Sequence, residues 1–278
     1  ISLKPTDAES YFERGKAYYF INKYDEAIKD FSKAIELNPS EADVYYYWRG
    51  CSYYRKNNHK KAIEDFEKAV KIDPTGSCGG EKGITFFNLG CLYLKIGDYK
   101  KAIENFEKAR ELNEKFEEEA SLHIGRYLRN IGKYEEAEEE FKRALQNSSK
   151  SEYYYYIGST YFYKGDLDSS LNELKKVLSE GQKTPQLIYS YWLNVLIYKE
   201  ILHKETTEEY KVYFETEFEQ ILSEAEKHLK KLIEEEPDND FYYEELAQIY
   251  CEAERNKEEA LTLAKKAIEI NKDTKNYY

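Results

Sequence analysis

The segment YDEAIKDFSKAIELNP, Tyr24–Pro39, returns thirty-five residues later as HKKAIEDFEKAVKIDP, His59–Pro74, and again as YKKAIENFEKARELNE, Tyr99–Glu114. Ala27, Phe31 and Ala34 recur as Ala62, Phe66 and Ala69 while the charged letters change around them. Spacings of four and three put these residues on one face of a helix, and that face packs inward. A fixed period of this length constrains the chain more than its composition does. Each unit is one supersecondary piece that can bury its apolar face only against its neighbours.

A second patterned stretch precedes each copy: YFERGKAYYFINK, YYWRGCSYYRKNN and FFNLGCLYLKIGD. Aligned on their glycine, the units give Gly15, Gly50, Gly90, Gly125 and Gly158, each followed twelve residues on by Ala27, Ala62, Ala102, Ala137 or Ser170. One unit is therefore two helices. Glycine within a helix costs about 0.5–1 kcal/mol relative to alanine, so its recurrence calls for a packing reason. The spacing predicts that it faces the small residue of the partner helix and lets two backbones approach. Seven residues after each glycine stands Asn22, Asn57, Gly97, Gly132 or Gly165, residue types that tolerate the left-handed conformation ending a helix. Pro39, Pro74 and Pro237 stop the second helices.

Tyr11, Gly15, Tyr18, Ala27, Phe31, Ala34 and Pro39 resemble the signature of the tetratricopeptide repeat. The pattern recurs at Tyr46, Gly50, Tyr53, Ala62, Phe66, Ala69 and Pro74, then at Phe86, Gly90, Tyr93, Ala102, Phe106 and Ala109. A fourth copy keeps Gly125, Ala137, Phe141 and Ala144. A fifth keeps Tyr154, Gly158 and Tyr161 but drifts to Ser170, Leu174 and Val177. The sixth is much altered around Ala225, Leu229, Leu232 and Pro237, and the seventh shows Tyr243, Ala247, Tyr250, Ala260 and Ala267. The resemblance implies an all-α, right-handed superhelical solenoid of about seven helix-turn-helix repeats in one domain, residues 1–278. The approximate repeats are 8–41, 43–76, 83–116, 118–151, 151–184, 185–238 with an insertion, and 240–273. The segment 75–83, TGSCGGEKG, lacks the strand before and the GK[ST] after that a phosphate loop needs, and is read as a flexible loop. The insertion 201–219 should prolong the helices of the sixth unit as a packing accessory. After the seventh unit the letters TKNYY resemble the opening of another first helix. They predict a longer chain, or an apolar face at the C-terminal end that recruits a neighbour by self-association.

Charge narrows the partners. Forty-two Lys and Arg against 54 Asp and Glu leave a net charge of −12, interspersed along the helices, which disfavours nucleic acid because binding it requires a concentrated positive face. With 41% hydrophobic and 35% charged residues the chain can bury a core, and no stretch has the ~18–20 apolar residues needed for membrane insertion. A cytoplasmic setting is favoured. A secreted or periplasmic origin stays open, because the chain starts at Ile1 without an initiator Met. Cys51, Cys78, Cys91 and Cys251 are too far apart for a CxxC knuckle and are read as free thiols; His59, His123, His203 and His228 match no paired-ligand spacing. No metal, no cofactor and no catalytic residue is assigned. No nucleophile elbow or dinucleotide fingerprint occurs in the sequence, and the Glu-rich runs read as solvated helix faces.

The function implied by the resemblance is non-catalytic: a protein–protein interaction scaffold that binds a peptide or helix of a partner in a concave groove. In that family the residues three before the glycine, one after it and four after it face inward. Here they are Phe12, Lys16 and Tyr19; Tyr47, Cys51 and Tyr54; Phe87, Cys91 and Leu94; Leu122, Arg126 and Arg129; Tyr155, Ser159 and Phe162. The groove is aromatic, and Arg126 with Arg129 would receive an acidic group of the partner. Both arginines could instead pair with Glu119 and Glu152. The Lys and Asn clamp that one subset of the family uses on a chaperone tail is missing, since its positions hold Phe12, Lys16, Trp48, Ile84 and Asn88. Two other readings stay open, a peptide-sensing regulatory protein and an accessory subunit of an enzyme or of a secretion or assembly complex. Far-ultraviolet circular dichroism should show a helical spectrum, and substantial strand signal would contradict the assignment.

Overall fold

The computed structural model describes residues 7–78, 80–148, 150, 152–180, 184–204 and 207–275. Fourteen α-helices follow one another with no strand among the described residues. They are α1 (Ala8–Phe20), α2 (Tyr24–Leu37), α3 (Asp43–Arg55), α4 (His59–Ile72), α5 (Ile84–Lys95), α6 (Tyr99–Leu112), α7 (Glu117–Asn130), α8 (Tyr134–Asn147), α9 (Glu152–Lys164), α10 (Leu167–Glu180), α11 (Pro185–Lys204), α12 (Glu208–Glu235), α13 (Asp240–Glu252) and α14 (Lys257–Lys275). The helical-repeat fold is thus the one that the periodicity demands. No described helix is long and apolar enough to cross a membrane.

The helices group into two compact units, Ile1–Tyr127 and Leu128–Tyr278. In the first, α1 to α6 pack each on the next. In the second, α8 to α14 do the same, and the first helices α9, α11 and α13 also touch in succession. Between paired helices the chain reverses through a left-handed residue at each expected place: Asn22 (φ 60°), Asn57 (φ 61°), Gly97 (φ 79°), Gly132 (φ 78°) and Gly165 (φ 87°). Asp98 and Asn58 then accept the N–H of Lys101 and Lys61, both at 3.2 Å, capping α6 and α4.

Repeated letters become a repeated contact. Phe31, Phe66, Phe106 and Phe141 are at most 2% exposed, and Ala27, Ala62, Ala102 and Ala137 are fully buried. The glycine, however, makes room for the ring and not chiefly for the alanine. A Cβ on Gly15 would lie 2.7 Å from Cε1 of Phe31, and one on Gly90 would lie 2.7 Å from Cε1 of Phe106. In the fifth unit Leu174 replaces the ring, at 3.0 Å from such a Cβ on Gly158, and Ser170 replaces the alanine, its hydroxyl donating to the Gly158 carbonyl at 2.8 Å.

A polar contact also repeats, one that the apolar periodicity does not announce. The guanidinium of Arg14 is bidentate to Asp30, both bonds 2.6 Å, and that of Arg49 is bidentate to Asp65 at 2.7 and 2.8 Å. Arg49 reaches on to Ser32 Oγ of the preceding hairpin at 2.9 Å. Asp30 and Asp65 are 5% and 3% exposed, so removing the arginine would strand a buried carboxylate at a cost of about 3–5 kcal/mol.

The described residues of segment 75–83, read as a flexible loop, are hydrogen-bonded at both ends of the segment. The Asp73 carboxylate accepts from the N–H and hydroxyl of both Thr75 and Ser77 at 2.7–3.0 Å, and Gly83 N–H donates to the Thr75 carbonyl at 2.9 Å. Desolvation opposes the Asp73 charge, yet these hydrogen bonds hold its carboxyl below the ordinary value. Gly83 (φ 83°) sits so close to α6 that a Cβ would fall 2.8 Å from the Ala109 carbonyl oxygen. The insertion lengthens both helices of the sixth unit, α11 to 20 and α12 to 28 residues, and Tyr198 with Phe218, Ile221 and Leu222 joins the second unit's core. At the far end α14 runs unbroken through Lys275 rather than opening a new helix at Thr274, and Asn276–Tyr278 lie outside the described residues.

Replacing Gly90 by Ala should destabilise the chain by about 1–3 kcal/mol despite its better helix propensity, because a rigid ring occupies the Cβ position. Gly158→Ala, facing a leucine that can shift, should cost under about 1 kcal/mol. Urea unfolding of the two variants tests this, and equal stabilities would remove the ring from the explanation.

Candidate functional site

In the first unit the first-helix residues form a connected aromatic surface. Tyr19 meets Trp48 edge-on with ring centroids 5.3 Å apart, and Trp48 meets Tyr47 edge-on at 6.1 Å. The Tyr47 hydroxyl accepts from Asn88 Nδ2 at 3.3 Å, and the Tyr54 hydroxyl accepts from Lys95 Nζ at 2.9 Å, which ties α3 to α5. Lys95 also lies over the Tyr54 ring, 4.6 Å from its centroid. Tyr19 and Tyr47 are half-buried and Tyr54 is 37% exposed.

Other expected groove residues take different places. Phe12 is 7% exposed, wedged against Phe31 and Tyr45 at 5.9 and 5.0 Å, so it belongs to the core; Lys16 covers its ring at 4.6 Å and pairs with Glu13 at 2.5 Å. Phe87 stacks on Phe116 at 5.1 Å and leans on Phe106 at 5.4 Å. Leu94 is half-buried and Arg126 is exposed. In the second unit Arg129 is already engaged, its Nη1 donating to Ser159 Oγ at 2.6 Å and its guanidinium lying 5.6 Å from the Tyr163 ring centroid. An anion held by Arg129 would have to displace those contacts. Phe162 and Tyr155 pack half-buried against the second unit's core.

Three successive first helices of the second unit border an open pocket of about 280 Å³, lined by Tyr155 from α9, Tyr189 and Trp192 from α11, and Glu245 and Gln248 from α13. The Tyr155 and Tyr189 rings lie 6.1 Å apart, and Tyr189 is held edge-on against Phe241 at 5.9 Å. Glu245 is 8% exposed. Burial, with neighbouring Glu244 adding repulsion, pushes its carboxyl up to about 7. Of this group the sequence register marks only Tyr155. The same register carried through Ala247 would mark Gln248, but the sixth unit has no glycine on which to anchor Tyr189 and Trp192. A larger cavity, about 860 Å³, follows α13 and α14 beside Leu261 and Ile268, which are 57% and 55% exposed.

Three of the four cysteines are not set up for covalent chemistry. Burial pushes the thiols of Cys51 and Cys78 up to about 12 and that of Cys91 up to about 11, keeping them protonated at neutral pH and poor nucleophiles. Asp43, Asp73 and Cys78 converge as three groups of metal-ligand type, but Asp73 is saturated by Thr75 and Ser77 and Cys78 is a thiol. His123 lies flat on Phe106 at 5.0 Å, and burial lowers its proton affinity, with Arg126 adding to the effect.

Tetratricopeptide repeat family models match residues 8–41, 41–115, 87–152 and 151–180. No curated protein sequence matches the chain. Among solved structures, YrrB, described as a TPR protein with an unusual peptide-binding site, is 29% identical with a TM-score of 0.56, over 66% of this chain and 92% of its own. The C-terminal part of a TPR repeat-containing protein from Cytophaga hutchinsonii aligns over 93% of this chain and 95% of its own, with a TM-score of 0.62 and 20% identity. A fragment of MamA from Desulfovibrio magneticus RS-1 aligns over 64% and 97%, with a TM-score of 0.54 and 18% identity. The last two likenesses concern the fold alone.

The folded state holds the Glu245 proton more tightly than the unfolded chain does, so this group favours folding below pH about 4.5 and that contribution is lost as pH rises through about 7. Glu245→Gln should therefore raise the melting temperature at pH 8 and by much less at pH 5. A pH-independent difference between variant and parent would show that Glu245 does not ionise in a desolvated site.

Proposed function

The chain belongs to the tetratricopeptide repeat family, and we propose that it is a non-catalytic scaffold whose first-helix face docks an extended or helical peptide of a partner protein. The observation that carries this reading is the aromatic surface of Tyr19, Trp48, Tyr47 and Tyr54. Tyr19, Trp48 and Tyr47 brace one another, Phe66 and Asn88 hold Tyr47 and Lys95 holds Tyr54, yet none of the four rings is fully buried. Rigid, half-exposed rings give a large contact area for little conformational entropy, which is why they dominate binding hot spots. The hydroxyls and Asn88 supply the few polar groups that orient a peptide backbone. The peptide-binding site named for YrrB supports the same use of the fold. An exposed Arg126 suits an acidic group on the ligand, in keeping with the expectation from its place in the register.

Selection of displayed random peptides on the full chain should recover sequences rich in apolar side chains. Tyr54→Ala, at a rim position whose loss leaves the core intact, should weaken a selected peptide by about 1–3 kcal/mol in calorimetry. Selected peptides that bind Tyr54→Ala and Trp48→Ala as well as the parent would place the interaction elsewhere.

A further inference from the structure

We infer that the pocket bounded by Tyr155, Tyr189, Trp192, Glu245 and Gln248 is a receptor for an organic cation, specifically a lysine or arginine side chain of the docked partner. The inference takes the source of the cation from the peptide-docking reading, while the chemistry of the pocket stands without it.

Three aromatic side chains and one carboxylate converge on a space of about 280 Å³, large enough for an alkylammonium or guanidinium group. Aromatic faces attract cations through their quadrupole, and the attraction grows as water is excluded. Glu245 is more than nine-tenths buried, with 8% of its surface exposed, and among the described residues no hydrogen bond or ion pair reaches it. A carboxylate largely shielded from water in this way gains from being neutralised or paired. None of the residues lining the pocket is basic, and the adjoining Glu244 adds negative charge beside Glu245, while the charge of Arg129 reaches only the Tyr155 edge. An incoming cation therefore supplies the missing partner, whereas a carboxylate or phosphate would meet repulsion. The raised proton affinity of Glu245 is the same demand for a positive charge, met by a proton while the pocket is empty. The chain's net charge of −12 favours the approach of basic ligands.

The parts are positioned, not incidental. Tyr189 is fixed by Phe241 on one side and by Tyr155 on the other. The three helices that supply the lining pack on one another in the order α9, α11, α13, so the cage is assembled only when three consecutive hairpins are stacked. Trp192 has its indole N–H buried without an acceptor among the described residues, which makes that proton a sensitive reporter of charge arriving beside the ring.

The test uses the full chain and the small probes Nα-acetyl-lysine N-methylamide, Nα-acetyl-arginine N-methylamide, and their neutral norleucine and acidic glutamate counterparts. The two tryptophans, Trp48 and Trp192, give two indole N–H signals in a proton–nitrogen correlation spectrum, assigned with Trp48→Phe. The lysine or arginine probe should shift the Trp192 signal saturably and leave Trp48 in place. The norleucine and glutamate probes should not, and Glu245→Gln should weaken the cation about tenfold. Absence of a saturable shift at Trp192 would overturn the inference, as would equal binding of norleucine or undiminished binding by Glu245→Gln. Because no peptide is involved, a negative result here leaves the Tyr54 and Trp48 variants to decide the docking surface on their own.

Discussion

The arrangement depends on one contact, the ring of the second helix seated on the glycine of the first. Where Phe31 meets Gly15 and Phe106 meets Gly90, no space remains for even a methyl group, so the two helices of a hairpin have one separation available to them. That separation determines which face of the first helix is left for other uses. The alanines at 27, 62 and 102 are fully buried because the helices have come this close. Dispersion accumulates over such contacts, and a gap of half an ångström would forfeit much of it.

Between hairpins the adhesive is partly ionic. Arg49 joins Asp65 of its own hairpin to Ser32 of the one before, while Arg110 reaches Ser121 of the following first helix at 3.1 Å and Glu107 on its own helix at 2.6–2.7 Å. These buried guanidinium groups satisfy several acceptors at once and so set the register of neighbouring units, a matter in which apolar faces are permissive. The motif is not uniform. The positions equivalent to Arg49 and Asp65 hold Leu89 and Asn105 in the third unit, so the pair is replaced together and neither member is left alone.

The proposed docking surface and cation pocket use groups that stability would not select. Glu245 is buried without a counter-charge among the described residues, and the rings of Tyr47 and Tyr54 are only half withdrawn from water. A glutamine at 245 would make a more comfortable core and an aliphatic residue at 54 a plainer surface. Departures from local packing rules of this kind are expected at binding sites, where the surrounding hairpins offset their cost.

The sequence by itself determined the helix pairs, their boundaries and their hinges. Those features rest on local chemistry: the four-and-three spacing of Ala27, Phe31 and Ala34, and the left-handed tolerance of Asn22, Asn57 and Gly97. It also identified the rings of Tyr19, Tyr47 and Tyr54 as first-helix residues, since one register served all intact units. The tertiary structure alone decided which of those rings remain outside. Phe12 has the same register as Tyr47 and Phe87, yet it is drawn into the core by Phe31 and Tyr45, and Arg129 is claimed by Ser159 and Tyr163. Tertiary packing alone also brought Tyr155, Tyr189, Trp192 and Glu245 to one pocket across ninety residues of chain. Periodicity reports the face on which a side chain starts, whereas its final exposure depends on the volume of residues contributed by neighbouring helices, and no local pattern encodes that volume.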